Sequence, residues 1–198
     1  TESWTRSATS AICNVNDAGS SLSVASDGDV ADPDEGDTHS VTGTLSDEDG
    51  CTGTTCAITY AWSTGATSAT ITLGQSDVGD TVSVTLTYTD DQSESNTITL
   101  TAASDVDNVN DPPVASTTIA DASTAEDAAY SLDASTGFTD EDGDAMTYTM
   151  SGAPSTLSMS TAGVITGTPV NADVGAHTIT VTASDATATG TDSFVLTV

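Results

Sequence analysis

Apolar residues alternate with Thr and Ser along most of this chain, in runs of five to eight positions separated by Asp, Gly, Asn and Pro. Two such runs are Thr81-Val82-Ser83-Val84-Thr85-Leu86-Thr87-Tyr88 and His177-Thr178-Ile179-Thr180-Val181-Thr182. A period of two sends successive side chains to opposite faces, so these runs read as half-buried antiparallel strands. No segment carries an apolar stripe at helical spacing. The pattern predicts strands near 21–25, 38–45, 57–62, 69–73, 80–89 and 96–103, and then near 114–120, 128–132, 145–150, 156–159, 163–166, 176–184 and 191–198. About seven strands per ~100 residues is the size of an immunoglobulin-like sandwich.

The chain repeats itself. Asn14-Val15-Asn16-Asp17 recurs as Asn108-Val109-Asn110-Asp111, Asp47-Glu48-Asp49-Gly50 as Asp140-Glu141-Asp142-Gly143, and Asp77-Val78-Gly79 as Asp173-Val174-Gly175. Three anchors in the same order at nearly one spacing define two tandem modules. The expected division is an extra strand at 1–12, module one at 13–107 and module two at 108–198. Residues 1–12 align with the closing strand of both modules, so they read as a spare strand. It either ends a preceding module or is donated to a neighbouring subunit, with Trp4 as the anchor of that contact. The plainer alternative is that the segment lies on module one.

Composition narrows the function. The 198 residues include 30 acidic side chains against one basic one, Arg6, a formal charge of -29. Nucleic-acid binding needs cations to replace phosphate counterions, and an anionic membrane surface repels such a chain. No lysine is present, which removes Schiff-base and P-loop chemistry. Hydrophobic residues make up 36% and aromatics 4%, so the core must be thin and built from small β-branched residues. Thr and Ser number 39 and 26, which favours strands and turns. No run approaches the ~18 apolar residues of a membrane span, and no signal peptide is evident. A start at Thr1 without Met is expected of a mature product or an excerpt of a longer chain.

At several places the sequence resembles the cadherin-like tandem modules of bacterial and archaeal surface proteins. Module two looks like a dystroglycan-type cadherin-like domain. Its signposts are Asn110-Asp111-Pro112-Pro113, Glu126-Asp127, Phe138-Thr139-Asp140-Glu141-Asp142-Gly143-Asp144, Gly167-Thr168-Pro169, Ala183-Ser184-Asp185 and Phe194-Val195-Leu196-Thr197-Val198. Module one is similar to a sister type through Gly43 to Gly50, Tyr60-Ala61-Trp62 and Ser76-Asp77-Val78-Gly79. It departs from that type by the insertion Cys51 to Cys56 and by lacking Pro-Pro after Asn16-Asp17. The resemblance implies all-β architecture: two immunoglobulin/cadherin-like sandwiches preceded by an extra strand. It also implies an extracellular, load-bearing or adhesive array whose joints are stiffened by calcium.

Calcium takes six to eight oxygen ligands in irregular geometry. The densest supply is Asp105-Val106-Asp107-Asn108-Val109-Asn110-Asp111, where alternate residues offer carboxylate or amide oxygens. By the resemblance, Asp140, Asp142 and Asp185 close that site, Glu35 or Asp90 reaches it from module one, and Glu126 is a secondary ligand. A corresponding site is expected at Asn16, Asp17, Asp47 and Asp49. An EF-hand is excluded, because counting from Asp140 puts Ala145 and Ser151 where Gly and Glu are required. The plain alternative is a solvated acidic surface.

Cys51 and Cys56 flank four residues, a length suited to a disulfide closing a hairpin in an oxidising setting. For Cys13 the sequence leaves open a free thiol or a cross-link. His39 and His177 lie in alternating strands and are expected at the surface or an edge. Neither has a nucleophile elbow, and two Trp are too few for a sugar-binding cleft, so no enzyme is expected. The reading is a calcium-stabilised structural repeat at the cell surface, whose partners are neighbouring copies or modules. Alternatives are a filament subunit polymerising by its donated strand and a carbohydrate- or receptor-binding adhesion module.

Overall fold

The computed structural model describes residues 5–9, 21–26, 32–44, 58–89 and 95–198. Trp4, Cys13, Asn16, Asp17, Asp47, Asp49, Cys51, Cys56 and Asp90 lie outside the described residues. The chain forms two compact units, residues 1–109 and 110–198.

Module one contains β1 (Thr5–Thr9), β2 (Ser21–Ser26), β3 (Thr38–Thr44), β4 (Ile58–Trp62), β5 (Thr70–Thr72), β6 (Ser83–Thr89) and β7 (Ser95–Thr101). They make one sheet in the order β1-β7-β6-β4 and another in the order β2-β3-β5. The inward set of the alternation becomes the core: Val84, Leu86 and Tyr88 from β6, Ile98 and Leu100 from β7, and Ile71 from β5. Trp62 closes one end, and its buried indole N–H donates to the Ser68 carbonyl at 2.8 Å. Its large apolar body can be buried because the polar edge finds a partner.

One expectation is narrowed here and another changes. Residues 5–9 pair antiparallel with β7 of their own module, Thr5 opposite Thr101 through Thr9 opposite Thr97, which is the plainer of the placements open to them. The physical reason is that the free edge of β7 presents unpaired N–H and C=O groups, and a strand tethered to the same module satisfies them at little entropic cost. His39, expected at the surface, has no exposed area. It takes an inward position of β3 opposite Ile71, because the alternation of Thr38, Ser40 and Thr42 turns His39 and Val41 to the core side.

Module two contains β8 (Val114–Ala115), β9 (Ala122–Ser123), β10 (Tyr130–Asp133), β11 (Phe138–Thr139), β12 (Thr147–Ser151), β13 (Leu157–Met159), β14 (Val164–Gly167), β15 (Ala176–Ser184) and β16 (Thr189–Thr197). The sheets are β12-β15-β16-β9, β10-β14-β13 and the short pair β11-β8. Between them lie Ile179, Val181, Phe194, Leu196, Ile165 and the T-shaped pair Phe138–Tyr148, with centroids 5.8 Å apart. Burying each large apolar side chain stabilises the sandwich by about 1.5–3 kcal/mol. The continuous strand expected at 114–120 is instead two short ones, since β8 pairs with β11 whereas β9 runs parallel to β16. The intervening chain changes sheets, and carboxylates replace the ladder there. Asp192 accepts the Ile119 N–H at 2.7 Å, and Asp121 accepts the Val195 N–H at 2.8 Å.

The outward set of the alternation forms hydroxyl rows. In module one Thr59, Thr87 and Thr97 stand side by side across β4, β6 and β7, and Thr85 and Thr99 form the next row. In module two Thr147, Ser184 and Thr189 share a row, as do Thr149, Thr182 and Thr191, and Ser151, Thr180 and Ser193. Some neighbours bond directly, Thr85 to Thr99 at 3.1 Å and Thr180 to Ser193 at 2.9 Å. Among the described residues the only acids within strands are Asp133 and Asp192; the other carboxylates sit in loops or, for Asp77 and Asp173, in single 3-10 turns.

Candidate metal centre

Module two brings three loops together at the end where its chain enters. The first is the turn after β11. Phe138 anchors it in the core, and Gly143, at φ +75°, reverses the backbone. Asp140 Oδ1 accepts the Asp144 N–H at 3.1 Å, so the turn is wound around its first carboxylate. One oxygen each from Asp140, Asp142 and Asp144 lies within 4.8 Å of the others. Asp140 Oδ2 is buried and has no hydrogen-bond partner.

The second loop is the entry segment. The Asp111 backbone N–H donates to Asp142 Oδ2 at 2.7 Å, tying the entry to the turn. The Asn110 amide donates to Asp185 Oδ2 at 3.0 Å and to the Asp111 carbonyl at 3.2 Å. The third loop follows β15. Asp185, 8% exposed, accepts N–H bonds from Thr187 and Ala188, both at 2.6 Å on Oδ1. The Ala188 N–H first, and then the Asn110 amide, hold its carboxyl below the usual carboxylate range.

The structure therefore separates residues that the sequence grouped. Asp140 and Asp142 form the centre, with the Asp111 backbone bound to it. Asp185 is a clasp: both oxygens already accept hydrogen bonds, and its role is to fix Asn110. Asp105 and Asp107 belong to module one. Asp105 accepts from the Thr81 hydroxyl, while Asp107 pairs with Asp34, its N–H donating to the Pro33 carbonyl at 2.8 Å and its carbonyl accepting from Glu35 at 2.9 Å. Buried Val106 fixes this segment, its N–H donating to the Asp80 carbonyl and its carbonyl accepting the Gly79 N–H. Asn108 is exposed and Glu35 half-buried.

Glu126 also departs from expectation. It lies just past Thr124, whose N–H bonds Thr197, at the far end of β16 from the loop holding Asp185. A nine-residue strand spans about 30 Å, so Glu126 does not reach the centre. Sequence reasoning overlooks Asp144 as a candidate ligand, although the spacing Asp140-x-Asp142-x-Asp144 is the signal for it.

The oxygens fit a hard divalent cation. With metal–oxygen distances of 2.3–2.6 Å, two ligands on opposite sides of calcium stand about 4.6–5.2 Å apart. The carboxylate oxygens, within 4.8 Å of one another, stand no farther apart than two ligands on opposite sides of one such ion can. Module two has no Lys or Arg to neutralise them, and the buried Asp140 Oδ2 is a lone acceptor without a donor.

Residues 112–198 match the family model described as "Putative Ig domain". No curated protein matches the chain significantly. Among solved structures, an endo-fucoidan hydrolase of glycoside hydrolase family 107, MfFcnA4, is 24% identical over 65% of this chain and 20% of its own, with TM-score 0.36. Drosophila N-cadherin EC1-4 is 9% identical over 84% of this chain and 46% of its own, at 0.38. The titin domains z1z2, in complex with telethonin, are 12% identical over 100% and 97%, at 0.33. The chain thus spans about a fifth of the length of the hydrolase. Its architecture is all-β, with immunoglobulin-like sandwiches. Among the described residues no helix is long and apolar enough to cross a membrane.

Proposed function

We propose that this chain is a structural, calcium-stabilised repeat segment of an extracellular filament, sheath, surface layer or adhesin, and not an enzyme. The observation that carries this reading is the carboxylate centre of Asp140, Asp142 and Asp144, with its buried, donorless Asp140 Oδ2, at the entry to module two. Calcium bound there supplies the positive charge that the polypeptide lacks. The chain's own groups do the rest. Asp142 holds the Asp111 backbone against the turn, and Asp185 holds Asn110, so the segment joining the modules is fixed at its module-two end. Repulsion among the carboxylates otherwise loosens this end, and neutralising it converts a flexible tether into a stiff joint suited to a load-bearing array. The family resemblance to cadherin-like surface modules agrees with that use, and with the extracellular setting it requires.

The test is calcium titration of the full chain, followed by calorimetry and by small-angle scattering of chelated and calcium-loaded samples. Calcium is expected to raise the unfolding temperature of module two and narrow the distribution of end-to-end distances. Unchanged stability and unchanged scattering would falsify the reading.

A further inference from the structure

The segment leaving module one and the segment entering module two are held by different chemistry. Asp107 sits in a cradle of main chain: its N–H donates to the Pro33 carbonyl at 2.8 Å, and its carbonyl accepts the Glu35 N–H at 2.9 Å. The cradle is itself pinned, since the Gly36 N–H donates to the carbonyl of buried Leu73 at 3.0 Å and the Leu73 N–H to the Asp37 carbonyl at 2.9 Å. Just before Asp107, Val106 is 2% exposed in the module-one core, its N–H on the Asp80 carbonyl at 3.1 Å and its carbonyl on the Gly79 N–H at 2.9 Å. None of these acceptors is a carboxylate. The module-two end is the reverse, because the Asp111 N–H and the Asn110 amide are held by the carboxylates of Asp142 and Asp185. We propose that the joint releases from one side only: when calcium is lost, the chain loosens from module two back to Asp107 and stops there.

The two ends respond differently to charge. Bonds between neutral main-chain groups, and the burial of a valine, do not depend on a divalent ion. The bond from Asp111 depends on where the Asp142 carboxylate stands, and repulsion from Asp140 and Asp144 displaces that carboxylate once the countercharge is gone. A single side-chain amide on Asp185 is then left to hold Asn110, against four main-chain bonds and a buried valine at Asp107 and Val106. The stretch that responds to calcium is therefore Asn108 to Asp111, which spans at most about 14 Å when fully extended. Further unravelling would have to expose Val106, so loss of calcium yields a short leash of fixed length rather than a progressively lengthening tether. The release itself rests on the calcium binding proposed above, whereas the stop at Asp107 rests on module one alone.

Amide hydrogen exchange of the full chain, read residue by residue by NMR in chelator and in calcium, tests it. The Asp111 amide should exchange about tenfold faster in chelator, while the Asp107, Val106 and Glu35 amides stay slow and change by less than about threefold. Acceleration of Asp107 and Glu35 together with Asp111 overturns the one-sided release and leaves the calcium reading standing. An Asp111 amide that exchanges equally in the two media overturns both. Two variants compared in chelator locate the hold in the main chain. Asp107→Pro deletes the donor to Pro33 and should speed the Glu35 amide by about tenfold. Asp107→Asn keeps the main chain while removing the charge, and should leave that amide within about threefold of wild type. The amides of β6, central in its sheet, report whether module one is folded in each. Equal acceleration of Glu35 in the two folded variants overturns the proposal as well.

Discussion

Replacing Asp140 by Asn should stabilise module two in chelator and lose that gain in calcium. Asp140, Asp142 and Asp144 place carboxylate oxygens within 4.8 Å of one another. At 4.8 Å two like charges repel by about 0.9 kcal/mol even in water-like surroundings, and closer ones by more. The substitution removes two of the three repulsive pairs, and the new side-chain amide can donate from the position of the buried, partnerless Oδ2. Together these should stabilise the chelated protein by about 1–2 kcal/mol at low ionic strength, or roughly 4–8 °C per kcal/mol for a module of this size. In excess calcium the same change deletes a ligand. A tenfold weaker affinity removes about 1.4 kcal/mol of ligand-linked stability, which cancels or reverses the gain. Differential scanning calorimetry of wild type and Asp140→Asn, each in chelator and in calcium, reads both arms. An equal shift in the two media, or a loss of stability in chelator, would refute the reasoning.

Three further outcomes follow from the geometry. The folded carboxyls of Asp185 and Asp173 are held below their ordinary value, Asp185 chiefly by the Ala188 N–H and Asp173 chiefly by the Val170 N–H and the Thr156 hydroxyl. Their contribution is therefore present above an unfolded pKa of about 3.9 and is lost as pH falls through the lower folded values; denaturant midpoints should drop in that window, and Asp185→Asn should flatten the acid limb. Gly190→Ala would drive a Cβ into the Pro113 carbonyl and should cost about 1–3 kcal/mol in urea unfolding. Asp127 holds φ +58° where module one has Gly36 at +88°, their N–H groups donating to the matching carbonyls of Pro169 and Leu73. Asp127→Gly should unfold within about 1 kcal/mol of wild type, while the β-branched Asp127→Val should cost about 1–3 kcal/mol.

Where pairing follows from alternation, the fold was legible in the residues. Strands expected at 176–184 and 38–45 are found at Ala176–Ser184 and Thr38–Thr44, because a period of two commits each side chain to a face whatever the partner strand. The continuous strand expected at 114–120 failed for the converse reason: its residues fit a strand locally, but the chain there crosses between sheets and is held by Asp121 and Asp192 from elsewhere. His39 was misplaced because a lone polar residue in an alternating run says which face it takes only once the core side is known.

The site divided along the same line. Local spacing alone brings Asp140, Asp142 and Asp144 together, since a five-residue turn must gather its alternate side chains. The sequence by itself determined the tandem repeat, the strand pattern and the gathering of acids at Asp-Gly turns, all of which depend on neighbours along the chain. Only the tertiary structure decided that Asp105 and Asp107 are tied into module one, that Asp185 is spent as a clasp on Asn110, and that Glu126 stands at the far end of β16. Those outcomes hang on which backbone N–H groups meet which carboxylates across separations of tens of residues. No local pattern of acids carries that information, because a free carboxylate and a satisfied one are the same residue until the fold supplies the donor.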